Sequence, residues 1–171
     1  MDKNLDMFPK YNLGKNGELY VVDIFTKLGF KAELNNDYDK RYDYDITIDL
    51  DGKKYTIEVK YDLYSIKSGN IAIEYWNSKK DTAAGINATL ADIWVQFLPQ
   101  KNCEIYVSAI SVNKLKDYIK NNSPFKNIFS GGDKNSNMLI YRIEDIISEF
   151  IRLDSITIPS VMKSVIEGLE D

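Results

Sequence analysis

The chain has 171 residues, 44% apolar and 12% aromatic, enough to bury one substantial core and most simply read as one domain over 1–171. With no histidine and a single cysteine, it lacks the parts for histidine-based triads, imidazole or cysteine-rich zinc sites and an intramolecular disulfide, leaving carboxylate, lysine and tyrosine chemistry. The net charge of −4 is uneven: seven acids against two bases from Glu144 onward leave residues 1–143 near neutral, which favours local patches over broad phosphate binding.

In chain order, Gly17 to Leu28 sets Leu19, Val22, Ile24, Phe25 and Leu28 in a helical stripe ended by Gly29. Phe30 to Leu34 reads as a short strand and Asn35 to Lys40 as a loop. Two alternating runs, about 43–50 and 53–61, flank Asp51-Gly52, a strong hairpin signal. Asn70 to Trp76 alternates as a third strand of the same sheet, and Gly85 to Phe97 shows helical periodicity with Pro99 as its stop. Glu104 to Ile110 is a β-rich run, beside which Cys103 fits as a buried thiol. Leu115 to Ile119 suggests a helix, Ser130 to Asn137 a loop, Met138 to Ile143 a last strand and Ile146 to Leu153 a helix. Ser160 to Leu169 would close an acidic helical extension over 144–171. The expected class is α/β, a central mixed β-sheet flanked by helices. No run approaches the roughly 18 apolar residues of a membrane span, and Met1-Asp2-Lys3-Asn4 does not resemble a signal peptide, so a cytoplasmic protein with no membrane partner is expected.

The hairpin turns spacing into chemistry. If Leu50 pairs with Lys53, then Ile46 meets Ile57, Asp45 meets Glu58 and Asp43 meets Lys60. Opposed residues hold their Cβ atoms about 4.5 to 5.5 Å apart, so two carboxylates stand at repulsive distance with an ammonium one diagonal step away. Strand alternation keeps Asp43, Asp45, Glu58 and Lys60 on one face, with Ile46, Ile48, Ile57 and Val59 on the other. A cation between Asp45 and Glu58 converts repulsion into coordination, supplies a Lewis acid for a phosphodiester and lowers the pKa of a bound water. Oxygen ligands suit magnesium or manganese. Lys60 is placed to hold that water and offset phosphate charge, and Asp43 to orient the ammonium. A second acid-any-lysine run, Asp51-Gly52-Lys53, falls in the turn, where side chains splay into solvent. Lysines 53, 54, 60, 67, 79 and 80 gather around the candidate site. Tyr42, Tyr44, Tyr61 and Tyr64 flank it, whereas Tyr55, Tyr75, Tyr106 and Tyr141 fit strands as core residues.

These residues resemble the restriction-endonuclease-like PD-(D/E)XK nuclease superfamily, in particular its small phage-type members. The matching pattern is Asp45, twelve intervening residues, then Glu58-Val59-Lys60, preceded by a helix carrying Glu18 and followed by a strand, a helix and a strand over roughly residues 14–110. The resemblance implies a restriction-endonuclease-like core, magnesium-dependent hydrolysis of DNA, Asp45 and Glu58 as metal ligands with the Val59 carbonyl as an additional one, Lys60 as the catalytic lysine and Glu18 as a helix-borne addition. Glu74, in a looser match through Gly69-Asn70-Ile71 and Ala84-Gly85-Ile86, is a supporting candidate. Gln96 and Asp92, expected on the following helix, read first as surface or capping groups, with Gln96 kept as a supporting candidate. Tyr44 stands where the pattern has proline, which makes Asp43 a rival to Asp45 for the first ligand. A homodimer would let one site per chain cut both strands. Two other classes stay open: a nuclease-fold module that binds nucleic acid or protein without catalysis, and a small α/β interaction protein working through its acidic tail.

Overall fold

Residues 10–37, 43–62, 64–99, 105–129 and 135–153 are described by a computed structural model. Helix α1 (Lys10–Lys27) buries Val21, Ile24 and Phe25, and Gly29, at φ +87°, reverses the chain into strand β1 (Lys31–Leu34). Strands β2 (Ile46–Leu50) and β3 (Lys53–Tyr61) form the expected hairpin. Asp51 and Gly52 take φ of 52° and 86°, the left-handed pair that matches the twist of the flanking strands. The register is the one the turn dictates, with Leu50 facing Lys53, Ile48 facing Tyr55 and Ile46 facing Ile57. The first strand is shorter than its alternation suggests: the ladder stops at Ile46, leaving Asp43 and Asp45 ahead of it.

Helix α2 (Tyr64–Ser68), strand β4 (Asn70–Asn77), the two-residue strand β5 (Thr82–Ala83) and a 3₁₀ turn (Gly85–Asn87) then lead to strand β6 (Ile93–Pro99). The helix expected over Gly85 to Phe97 is therefore not there. β6 lies parallel to β3, pairing Ile57 with Ile93, Glu58 with Trp94 and Lys60 with Gln96, and its other edge pairs with β7 (Ile105–Ser111). A central strand is buried on both faces, so Ile93 through Leu98 read as a nearly unbroken apolar run that periodicity alone does not separate from a helix.

Helix α3 (Val112–Asn121) starts at Ser111, whose hydroxyl accepts the Lys114 N–H at 3.2 Å. It is followed by strands β8 (Lys126–Ile128) and β9 (Ser136–Arg142), a one-turn helix α4 (Ile143–Ile146), a 3₁₀ turn (Ile147–Glu149) and strand β10 (Ile151–Arg152). A turn and an edge strand thus replace the helix expected over Ile146 to Leu153. β10 pairs with β7 and completes a six-stranded mixed sheet, ordered β1-β2-β3-β6-β7-β10. Strand β4 does not join it. It pairs with β9 in a second, antiparallel sheet ordered β5-β4-β9-β8, because alternation identifies a strand without naming its partner.

Two cores use the two faces of the main sheet. Under α1, Phe25 packs with Ile46, Ile57, Val59 and Val95; on the opposite face, Trp94, Leu98 and Ile110 pack with Ile71 and Ile73 of the second sheet and Leu115 of α3. The fold is thus mixed α/β around a central mixed sheet. Cys103 and the segment Ser160 to Leu169 lie outside the described residues, as do Tyr42 and residues 38–40 of the expected loop. Among the described residues, no helix is long and apolar enough to cross a membrane.

Candidate functional site

Strand β3 carries the site because alternation sends Val59 into the core beneath α1 and leaves Glu58 and Lys60 on the other face. Both are partly enclosed, with side chains 12% and 35% exposed, and the Lys60 ammonium bonds Glu58 Oε1. Lys60 Nζ also lies 5.5 Å from the centroid of the Trp94 ring, on the neighbouring strand. Glu58 Oε2 receives Thr89 Oγ1 at 3.3 Å. That hydroxyl also sits 3.2 Å from the Asp43 carbonyl and accepts the Ala91 N–H at 3.1 Å, so its single proton serves Glu58 or Asp43, one at a time. Thr89 is 6% exposed and belongs to the loop that enters β6, thirty-one residues from Glu58. Nothing in the local sequence marks it.

Asp45 reaches the site by a different route from the expected one. Its N–H donates to the Ile57 carbonyl at 2.8 Å, one residue short of the partner that uninterrupted pairing would assign, so Asp45 does not face Glu58 across the ladder. Its carboxylate instead takes the Val59 N–H at 2.7 Å. An extended residue presents its N–H and C=O to the same side, so the Val59 carbonyl is also turned toward Asp45. The expected pairing of Asp43 with Lys60 is absent from the described contacts. Asp43 acts through its backbone carbonyl, which accepts the Leu90 N–H at 3.0 Å and anchors the loop carrying Thr89.

The charges are held under tension. Burial raises the Asp45 carboxyl above its ordinary value; the Val59 N–H and Lys60 oppose the shift, and Glu18 adds to it. Burial likewise raises Glu58, helped by the negative charge of Asp45 and opposed by Lys60 and Thr89. For Lys60, burial pulls downward, but Glu58, Asp45 and Glu74 together outweigh it and the ammonium is held above its ordinary value.

Glu18 stands on α1, its carboxylate 3.4 Å from Lys15 Nζ, with its charge felt at Asp45. Glu74, on β4 of the second sheet, is felt at Lys60. Gln96 is fully buried beside Lys60 and is no surface group. Trp94 Nε1 donates to Gln96 Oε1 at 3.0 Å, and because an indole N–H can only donate, this fixes the amide's orientation and leaves Nε2 without a partner among the described residues. Asp92, whose carboxylate accepts the Thr56 N–H at 2.8 Å and its hydroxyl at 3.0 Å, ties β3 to the start of β6. Tyr61 packs on Phe97 with centroids 4.7 Å apart, and Tyr44 lies against the second core. Tyr55 and Tyr141 are buried, as expected of strand tyrosines.

The donor set is oxygen only, which fits a hard divalent cation, and two part-buried acids with raised carboxyls are what such a cation relieves. Among the described residues, no three acids or cysteines come together as a metal-holding cluster. Asp45, Glu58 and the Val59 carbonyl would offer a sparse set of oxygens, of the kind magnesium accepts when waters complete its shell.

A solved structure of a bacterial homing endonuclease, I-Ssp6803I, aligns with a TM-score of 0.47 over 65% of this chain and 74% of that one, at 18% identity. No family model matches the chain, and no curated protein matches it.

Proposed function

We propose that the chain is a metal-dependent nuclease hydrolysing phosphodiester bonds, with DNA as its substrate. The observation that carries this reading is the enclosed cluster of Asp45, Glu58 and Lys60, in which burial raises both carboxyls, the charge of Asp45 adds to the shift at Glu58, and a lysine stands against Glu58. A structural hairpin has little use for two part-buried acids and a half-buried ammonium. A divalent site does. Magnesium or manganese, held by Asp45, Glu58 and the Val59 carbonyl, supplies Lewis acidity to a phosphodiester oxygen and to water. Lys60 offsets phosphate charge and holds the attacking water by hydrogen bonding. Thr89 and the Val59 N–H keep the two carboxylates in place before substrate arrives. Glu18, Glu74 and Gln96 stand around this centre in supporting positions. DNA is chosen over RNA on the resemblance to PD-(D/E)XK nucleases, and cutting both strands of a duplex would call for a homodimer.

The test is incubation of labelled DNA with magnesium, manganese or chelator, beside Asp45→Asn and Lys60→Ala. We expect metal-dependent cleavage that drops about a hundredfold or more in either variant. The absence of cleavage by the intact protein on every substrate, with no metal bound, would leave a module that binds without cutting. The closed Glu58–Lys60 pair is the feature such a reading would cite.

A further inference from the structure

Beside the Lys60 ammonium opens a groove of about 760 Å³. In the second sheet, Ile71, Ile73 and Tyr141 point into the core shared with Trp94, so Ala72, Met138 and Ile140 alternate onto the opposite face, and that face lines the groove. Ile128 of β8, paired with Met138, continues it. Lys60 lines the far side, with the buried Trp94 ring behind its ammonium, which makes the groove continuous with the carboxylate site. Two cations and an aromatic ring mark its outer part: Phe125 is 57% exposed with the Arg142 guanidinium 4.5 Å from its centroid, and Lys126 is exposed next to it.

We propose that this groove receives unpaired bases of the strand whose phosphodiester lies at Glu58 and Lys60, so that the substrate is single-stranded or splayed DNA and not uninterrupted duplex. The inference rests on the nuclease reading of the same site. A duplex stacks its base faces inside the helix and turns sugar and phosphate outward, which gives an apolar wall nothing to cover. An unpaired strand offers flat apolar faces on an anionic backbone. The groove has the complement of that pattern, with aliphatic side chains along the sheet, a part-exposed aromatic ring and lysine and arginine at its margin. Glu74 and Asp62, which also line the groove, repel phosphate but accept hydrogen bonds from the amino groups of bases, which favours base edges over backbone beside them and leaves the phosphates to the Lys60 and Lys126 ammonium groups.

The experiment compares a single strand, a forked duplex and a blunt duplex of one sequence. Binding is followed by fluorescence anisotropy in chelator and cleavage by gel in magnesium, for the full chain, Phe125→Ala, Met138→Glu and Lys60→Ala. The intact protein is expected to bind and cut the single and forked DNA in preference to the blunt duplex. Phe125→Ala and Met138→Glu are expected to weaken binding to unpaired DNA at least about fivefold, the scale of one lost base stack, without a change in circular dichroism. Equal cutting of all three substrates, abolished by Lys60→Ala, would overturn the groove assignment and leave the nuclease standing. Binding of single strands that Phe125→Ala weakens, without cleavage in magnesium or manganese, would support the groove and overturn the nuclease. Variants that alter the sedimentation of the protein but not its affinity for DNA would show that a second copy covers this face, and would also overturn the proposal.

Discussion

Asp45 is held by one backbone N–H in a place where burial works against its charge, and the cost falls on the fold. Asparagine keeps an oxygen for the Val59 N–H and removes the charge. Asp45→Asn is therefore expected to leave the chelator-treated protein at least as stable as the parent in urea unfolding while removing cleavage, the pattern of a site kept for function at the expense of stability. The pH dependence follows from the same shifts. The folded carboxyls of Asp45 and Glu58 lie above their ordinary values of 3.8 and 4.5, so their contribution to stability is full below those values and is lost as pH rises through the raised ones. Lys60 is also raised, from 10.5, so its contribution persists through neutral pH and is lost at the alkaline end. Urea midpoints of the metal-free protein should fall with rising pH across the acidic window, and magnesium should flatten that fall; a midpoint that rises there would contradict the assigned tension. The likeness of Glu58 and Lys60 as neighbours was legible because residues two apart in a strand share a face. Thr89 was not, because its approach to Glu58 depends on where a distant loop is tied down.

At the scale of elements, the position of Glu74 depends on one glycine. Gly85 sits at φ +50°, and a Cβ on it would lie 2.2 Å from the Glu74 carbonyl oxygen, closer than any side chain can come to a backbone atom. The pairing of β4 with β9 also shifts register just after Glu74. Gly85→Ala must strain the left-handed backbone and push β4 away, and a loss of roughly 2 to 4 kcal/mol in chemical denaturation is expected. Indifference of the midpoint to this substitution would mean that the two segments are not in contact. Helix α3 offers a milder case: Ser111→Ala removes the hydroxyl that caps the Lys114 N–H and should cost about 1 kcal/mol. The tight Asp51-Gly52 turn and its register were legible, since a two-residue hairpin leaves the flanking strands one way to pair. The strand Ile93–Pro99 was not, because its burial on both faces erased the alternation that identifies a strand.

For the whole molecule, Trp94 is the point at which the parts meet. Its ring is fully buried in the second core, its indole N–H holds Gln96, and the Lys60 ammonium lies over it. Trp94→Ala should cost about 3 to 5 kcal/mol by opening a cavity, whereas Trp94→Phe should keep much of the packing and leave the Gln96 oxygen without its donor. If both variants melted with the parent, the two sheets would not depend on a common core. Composition and spacing alone determined a mixed α/β chain, its hairpin and turn, the absence of imidazole chemistry and the acid and lysine two residues apart on β3. These are local properties, set by backbone sterics and by the two-residue period of a strand. Tertiary structure decided the rest: that β6 runs parallel beside β3, that β4 leaves for a second sheet, and that Asp45 departs from the ladder to take the Val59 N–H while Thr89 and Gln96 close around Glu58 and Lys60. Those choices rest on contacts between residues far apart in the chain, where many pairings satisfy the same alternation and only the burial of both faces of the central sheet selects among them.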